Sequence, residues 1–203
     1  MINVSKPIIF VDFDLTICYD RYWRSLKSPY QDRLQILLFG EDRTRVNEWM
    51  KGKYTAEEIN QFVAREIDFP NEDLWKIFVD DCITMKVSQS VLERLSALRD
   101  KYTVILMTGN MDSFSRFTVP VLSLDKYFDS ISNSFHEGKF KTDNNGEIFI
   151  EYVTKYEAPL KECIAIDDNK DVCSVFEQLG GTAYLVSPDK DINYYLKLLE
   201  SNK

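Results

Sequence analysis

The spacing of apolar positions changes character twice along this chain. Pro7–Phe13 (PIIFVDF) is a short, β-branched apolar run of the kind found in a parallel strand buried on both faces. From Pro29 to Ile83 strand signals are almost absent. Helical spacing there predicts helices over Gln31–Phe39, Arg43–Met50, Ala56–Ile67 and Glu72–Ile83. The third opens on Thr55 with Glu58 three residues later, the pattern in which side chains and backbone cap one another reciprocally. The fourth follows Pro70-Asn71 and repeats Leu74, Ile77 and Phe78 at helical spacing.

After Ser88 helix and strand alternate. Val91–Leu98 places apolar residues at 91, 92, 95 and 98, the buried stripe of an amphipathic helix. Tyr102–Met107 and the weaker Phe128–Ser132 read as strands, and Ile148–Tyr156 as a helix. Cys163–Ile166 reads as a strand, Val172–Leu179 as a helix stopped by Gly180-Gly181, Ala183–Val186 as a strand and Ile192–Leu199 as a last helix. Strands separated by helices imply right-handed crossovers and a parallel sheet with helices on both faces. The expected architecture is a three-layer α/β core with an all-helical insertion after the first strand.

Composition sharpens this division. Trp23, Trp49 and Trp75 all precede residue 80. Ile17–Asn60 holds eight Lys/Arg against seven Asp/Glu, a local +1, so the rest of a chain of net charge −8 carries −9. The 203 residues, 44% hydrophobic and 29% charged, have the make-up of a globular protein and not of a disordered one. No apolar run reaches the ~18 residues of a membrane helix, and the negative charge disfavours a nucleic-acid polymer as partner. Met1–Lys6 lacks the layout of a secretory leader. Cys18, Cys82, Cys163 and Cys173 are scattered away from the lone His136, which is no zinc pattern. They are expected to be packing residues in a reducing compartment, and hence a cytoplasmic protein.

In open α/β sheets the site lies beyond the carboxyl ends of the strands. The first strand delivers Asp12-Phe13-Asp14-Leu15-Thr16, the second Thr108-Gly109-Asn110, and the strand from Cys163 Asp167-Asp168-Asn169. Lys139 and Lys141 follow the third strand. Carboxylates, a hydroxyl and an amine thus meet at one edge, a set suited to Mg²⁺ and a phosphate.

These stretches resemble the motifs of the haloacid dehalogenase-like (HAD) hydrolases, in order. IIFVDFDLT is similar to a hydrophobic strand ending in D-x-D-x-T, and VILMTGN to a second strand ending in Thr. KTD at Lys141 resembles the third motif, with Lys139 as its competitor, and CIAIDDN the acidic fourth. The resemblance implies a Rossmann-like core from residues 1–16 and 88–203 with a helical cap over 17–87. It implies a Mg²⁺-dependent phosphomonoesterase acting on a small phosphorylated metabolite. Asp12 would be the nucleophile and Asp14 the general acid and base. Thr108 and Lys141 would bind the phosphoryl oxygens, beside Phe13, Gly109 and Asn110. Mg²⁺ would be held by Asp12, the Asp14 carbonyl, Asp168 and Asp167. A phosphomutase shares these motifs, and a non-catalytic phosphate- or protein-binding member is the remaining alternative. Substrate contacts are expected from Arg21 and Arg24 with Lys27, and ring stacking from Tyr19, Tyr22 and Trp23. Asp171 stands as a helix-turn acid or a supporting one, and His136 as a surface residue.

Overall fold

The computed structural model describes residues 5–201. Strand β1 (Ile8–Val11) is followed by four helices, α1 (Tyr30–Phe39), α2 (Thr44–Met50), α3 (Ala56–Ile67) and α4 (Asn71–Ile83). Then come α5 (Gln89–Ala97), β2 (Thr103–Thr108), α6 (Val119–Leu122), β3 (Ser130–Asn133), α7 (Ser134–Glu137) and α8 (Glu147–Lys155). The chain closes with β4 (Ile164–Asp167), α9 (Lys170–Leu179), β5 (Thr182–Leu185) and α10 (Ile192–Ser201). All strands are parallel, in the order β3-β2-β1-β4-β5.

β1 is central, and all four of its residues are buried, which is why it reads as a continuous apolar run. Period-two alternation divides it between two cores. Ile9 and Val11 face a cluster with Val104, Leu106 and residues of α5 and α10 such as Leu95 and Leu196. Ile8 and Phe10 face the opposite one, where Phe10 meets Phe149 of α8 and Phe176 of α9 edge-on at 5.1 and 5.7 Å. The sheet is therefore covered on both sides, the three-layer α/β arrangement expected.

α1–α4, with Trp23 and Leu26 before them and Met111 from beyond β2, bury a third cluster centred on Trp23, Trp49 and Phe78, with Trp23 and Phe78 4.4 Å apart between centroids. α3 shows why its sequence was legible. Thr55 Oγ1 accepts the Glu58 N–H at 3.3 Å, Glu58 Oε2 accepts the Thr55 N–H at 2.7 Å, and Ile59, Val63 and Ile67 share the buried face. The chain leaves and re-enters the core side by side, where Cys18 pairs with Val87.

Apart from short shifts at element ends and the short α7, which the sequence reading lacks, two places differ. The third strand starts at Ser130, two residues later than its apolar pattern suggests. Phe128 is buried beside the strand, and Asp129 Oδ2 accepts the Val104 N–H at 2.8 Å. Between β2 and β3 the chain winds as a π-helix over Phe114–Thr118 before α6. Pro120 lacks an N–H, so ordinary helical bonding cannot run through it.

Candidate active site

Every candidate acid sits where a strand ends. Asp12 is the first residue past β1, and its N–H still reaches the Ile166 carbonyl at 2.9 Å. Leu15 then adopts φ +58°, a conformation that branched side chains rarely take. This turn returns the Leu15 N–H to the Cys18 carbonyl at 2.7 Å and leaves Asp12 and Asp14 on one cavity wall. Asp167 ends β4, Asp168 follows, and Asn169 caps α9 by accepting the Asp171 N–H at 2.8 Å. Asp167 Oδ1 accepts the Asn169 N–H at 2.9 Å.

Lys141 enters from the loop between α7 and α8. Its Nζ donates to Asp12 Oδ1 at 2.7 Å, to the Met107 carbonyl at 3.2 Å and to Asp167 Oδ2. Lys139 instead pairs with Glu147 and Glu151 of α8, at 3.1 and 2.6 Å. Of the two lysines, only Lys141 meets the acids. Asp143 shapes this loop by accepting the Phe140 N–H at 3.0 Å and pairing with Lys51 at 2.5 Å.

Burial dominates the electrostatics. It pushes the Asp12 carboxyl well above the ordinary range against the pull of Lys141, and Asp167 and Asp14 push the same way. Burial raises Asp14 to about 6, with Arg21 and Lys141 opposing. Asp168 is raised by burial and by the charge of Asp167. Burial works against the Lys141 ammonium, but Asp12 and Asp167 outweigh it and hold the group charged. One oxygen from each of Asp12, Asp167 and Asp168 lies within 4.8 Å of the others. Three crowded carboxylates, two of them driven toward protonation, form a hard-oxygen set that a small divalent cation would relieve.

These groups line a cavity of about 350 Å³ together with Gly109, Arg43, Asn47 and Met50. A second cavity of about 450 Å³ shares Asp14, Arg43, Met50 and Gly109 with it. Its further walls include Leu15, Arg21, Tyr22, Gln35, Phe39 and Met111. The two spaces therefore adjoin at Asp14. Thr108 ends β2, almost fully buried.

Several expected contacts are placed elsewhere. Arg24 is drawn to the end of α4, donating to the Asp81 carbonyl at 2.7 Å and to Thr84 Oγ1 at 2.6 Å, because Asp81 is a buried acid that needs a cation nearby. Trp23 is wholly buried between Trp49 and Phe78, so it packs the helical layer instead of stacking on a ligand. Phe13 is likewise buried, edge-on to Phe114 at 4.8 Å. Asn110 is buried, and its side chain bonds to Tyr22 and Asp14. Tyr19 and Lys27 are exposed, as are Asp171 in the first turn of α9 and His136, which reaches Ser115 Oγ at 3.1 Å. All four cysteines are buried and unpaired with one another. Arg21, by contrast, stands 4.0 Å from Asp14. Arg43, Gln35 and Met50 escaped the sequence reading, since helical spacing does not say which helix end hangs over a sheet edge.

No protein-family model and no curated protein matches the sequence. Solved structures do match. A predicted HAD-like family hydrolase from Porphyromonas gingivalis superposes with a TM-score of 0.76 at 18% identity, covering 98% of this chain and 100% of that one. A HAD family enzyme from Bacteroides thetaiotaomicron, in complex with magnesium and inorganic phosphate, gives 0.70 at 16% identity, covering 94% and 99%. A HAD phosphatase from Thermococcus onnurineus gives 0.57 at 20% identity, covering 92% and 88%. The protein is thus an α/β chain whose acids gather at the carboxyl edge of a five-stranded parallel sheet. Its fold is that of the haloacid dehalogenase-like hydrolases.

Proposed function

We propose that this protein is a Mg²⁺-dependent phosphomonoesterase working through an aspartyl-phosphate. The observation that carries the reading is the cavity where Asp12, Asp14, Lys141, Asp167 and Asp168 converge from three separate chain segments. In the first step an Asp12 carboxylate oxygen forms a bond to phosphorus while the bond from phosphorus to the leaving oxygen breaks. Asp14 gives its proton to that oxygen. In the second step Asp14 takes a proton from water, the water oxygen attacks phosphorus, and phosphate leaves as the Asp12 carboxylate is regenerated. Lys141 offsets phosphoryl charge, and Thr108 at the end of β2 contributes a hydroxyl to it. Asp12, Asp167 and Asp168, with the Asp14 carbonyl, would hold Mg²⁺, which supplies charge neutralisation between nucleophile and phosphate.

The presence of Asp14 favours phosphate esters over carbon–halogen substrates, because a departing halide needs no proton. Residues 17–87 act in this reading as a cap over the cavity, and Arg21 and Arg43 face the leaving group of a small phosphorylated metabolite. Asp12→Asn keeps size but removes the nucleophilic charge. Its kcat with any phosphate ester turned over by the native protein should fall by several orders of magnitude, with the melting curve kept. Native-like turnover by the purified variant would overturn the covalent route.

A further inference from the structure

Asn110 follows β2, just beyond Gly109, and it is 1% exposed. Its Oδ1 accepts the Tyr22 hydroxyl at 2.6 Å and the Met111 N–H at 3.0 Å. The Met111 N–H can only donate, so the atom it meets is the oxygen and the amide nitrogen points the other way. There Nδ2 donates to Asp14 Oδ2 at 2.9 Å, with Thr108 Oγ1 a further 3.5 Å contact. The backbone is held as well, for the Asn110 N–H donates to Ser134 Oγ at 3.0 Å. An amide fixed at its oxygen, its nitrogen and its backbone has no second orientation to take.

We propose that Asn110 is a positioning residue for Asp14 and that Tyr22 locks it in place. The inference rests on reading Asp14 as the proton donor. Asn110 Nδ2 engages Oδ2, which leaves Oδ1 as the oxygen free to face the leaving group. Oδ1 is the atom facing Arg21, 4.0 Å away, and Arg21 and Asp14 both line the cavity that receives the leaving group. Asn110 thereby selects which oxygen is the acid, and Tyr22, by occupying the amide oxygen, prevents a flip that would turn an acceptor toward Asp14. Tyr22 lies on the connection between β1 and α1 and packs against Phe78 of α4 at 5.7 Å. The acid is therefore set from two sides, by the sheet edge and by the helical layer.

The test compares two substrates on the Mg²⁺-loaded enzyme. An alkyl phosphate needs a proton at its leaving oxygen, whereas p-nitrophenyl phosphate does not. Asn110→Leu keeps the bulk and removes the donor to Asp14 without adding a charge. Its ratio of alkyl to aryl kcat should fall on the order of 30-fold, and that of Asp14→Asn on the order of 100-fold, as expected when general-acid help is lost. Tyr22→Phe keeps the ring against Phe78 and should lower the ratio by about 5-fold, the effect of one hydrogen bond acting at a distance. KM for the aryl ester should stay within about threefold of native in all three, since no ground-state contact is removed. The positioning role is overturned if Asp14→Asn shows the loss of ratio while Asn110→Leu and Tyr22→Phe slow both substrates equally. If Asp14→Asn also slows both equally, Asp14 is not the proton donor, and the proposal falls with that reading. Should Asn110→Leu fail to fold, Tyr22→Phe decides by the same ratio.

Discussion

Two cations define what individual residues do at this site. Lys141 is 11% exposed and bridges Asp12 and Asp167, so it serves the fold as well as any chemistry. Removing one partner of a buried ion pair leaves charge that nothing compensates. Lys141→Met should therefore lower stability in excess chelator by about 3–5 kcal/mol. Added Mg²⁺ should raise its melting temperature more than it raises that of the native protein, because the ion takes over part of the neutralisation. Thermal denaturation with chelator and with Mg²⁺ reads both effects, and equal Mg²⁺ shifts in the two proteins would contradict a shared role. Arg43 differs in kind. It lies over the Phe39 ring at 5.9 Å and lines both cavities. Arg43→Gln should raise KM about tenfold for esters whose leaving group carries a second anion, a charge-assisted contact of roughly 1–2 kcal/mol. Esters with a neutral leaving group should keep their KM, and a matching rise for both kinds would make Arg43 a surface residue.

At the scale of single elements, local chemistry and observed structure coincide where short-range interactions suffice. α3 begins and ends where its capping pattern and apolar stripe say, because both act within one helix. Thr55→Ala removes the side-chain acceptor for the Glu58 N–H and should cost about 1 kcal/mol, a fall in melting temperature of roughly 2–4 °C for a chain of this size. Differential scanning calorimetry measures it, and an unchanged midpoint would show that tertiary packing alone holds the α3 start. β3 and the π-helical turn at Phe114–Thr118 were less legible. The onset of β3 depends on pairing with β2, from Ile105 with Ser130 onward, and no pattern inside the strand reports on its neighbour. The π-turn depends on where Pro120 interrupts a helix whose Phe114 must reach Phe13.

At the scale of the whole molecule, one buried carboxylate ties several groups of the helical layer to the core. Asp112, 4% exposed, accepts the Trp49 indole N–H at 2.8 Å, the Ala56 N–H at 3.2 Å and the Arg116 guanidinium at 2.8 Å. Arg116 reaches on to Glu57, at 2.6 Å. Asp112→Ala leaves the Trp49 N–H buried without an acceptor, which costs about 1–3 kcal/mol. That loss falls on the docking of α2 and α3, so amide hydrogen exchange should quicken there while the amides of β1, β2 and β4 keep their protection. Uniform acceleration across the sheet would mean that the two layers unfold as one unit. No helix among the described residues is long and apolar enough to cross a membrane.

The division between what sequence and tertiary structure decide follows from the range of the forces involved. Helix–strand alternation, the buried character of β1 and the placement of Asp12, Asp14, Asp167 and Asp168 at strand ends were legible. Each is written in neighbouring residues, through side-chain periodicity and through the rule that strand ends in a parallel sheet share one edge. The choice of Lys141 over Lys139 was legible only in part: the KTD pattern favours Lys141, but two lysines two residues apart in a loop differ most in what stands across from them, acids of two strands for one and acids of α8 for the other. Arg24 and Arg21 present the same case. Three residues apart on one connection, one answers the buried charge of Asp81 and the other faces Asp14. Lys141 meets Asp12 across 129 residues and Arg24 meets Asp81 across 57, and only the folded chain brings those partners together.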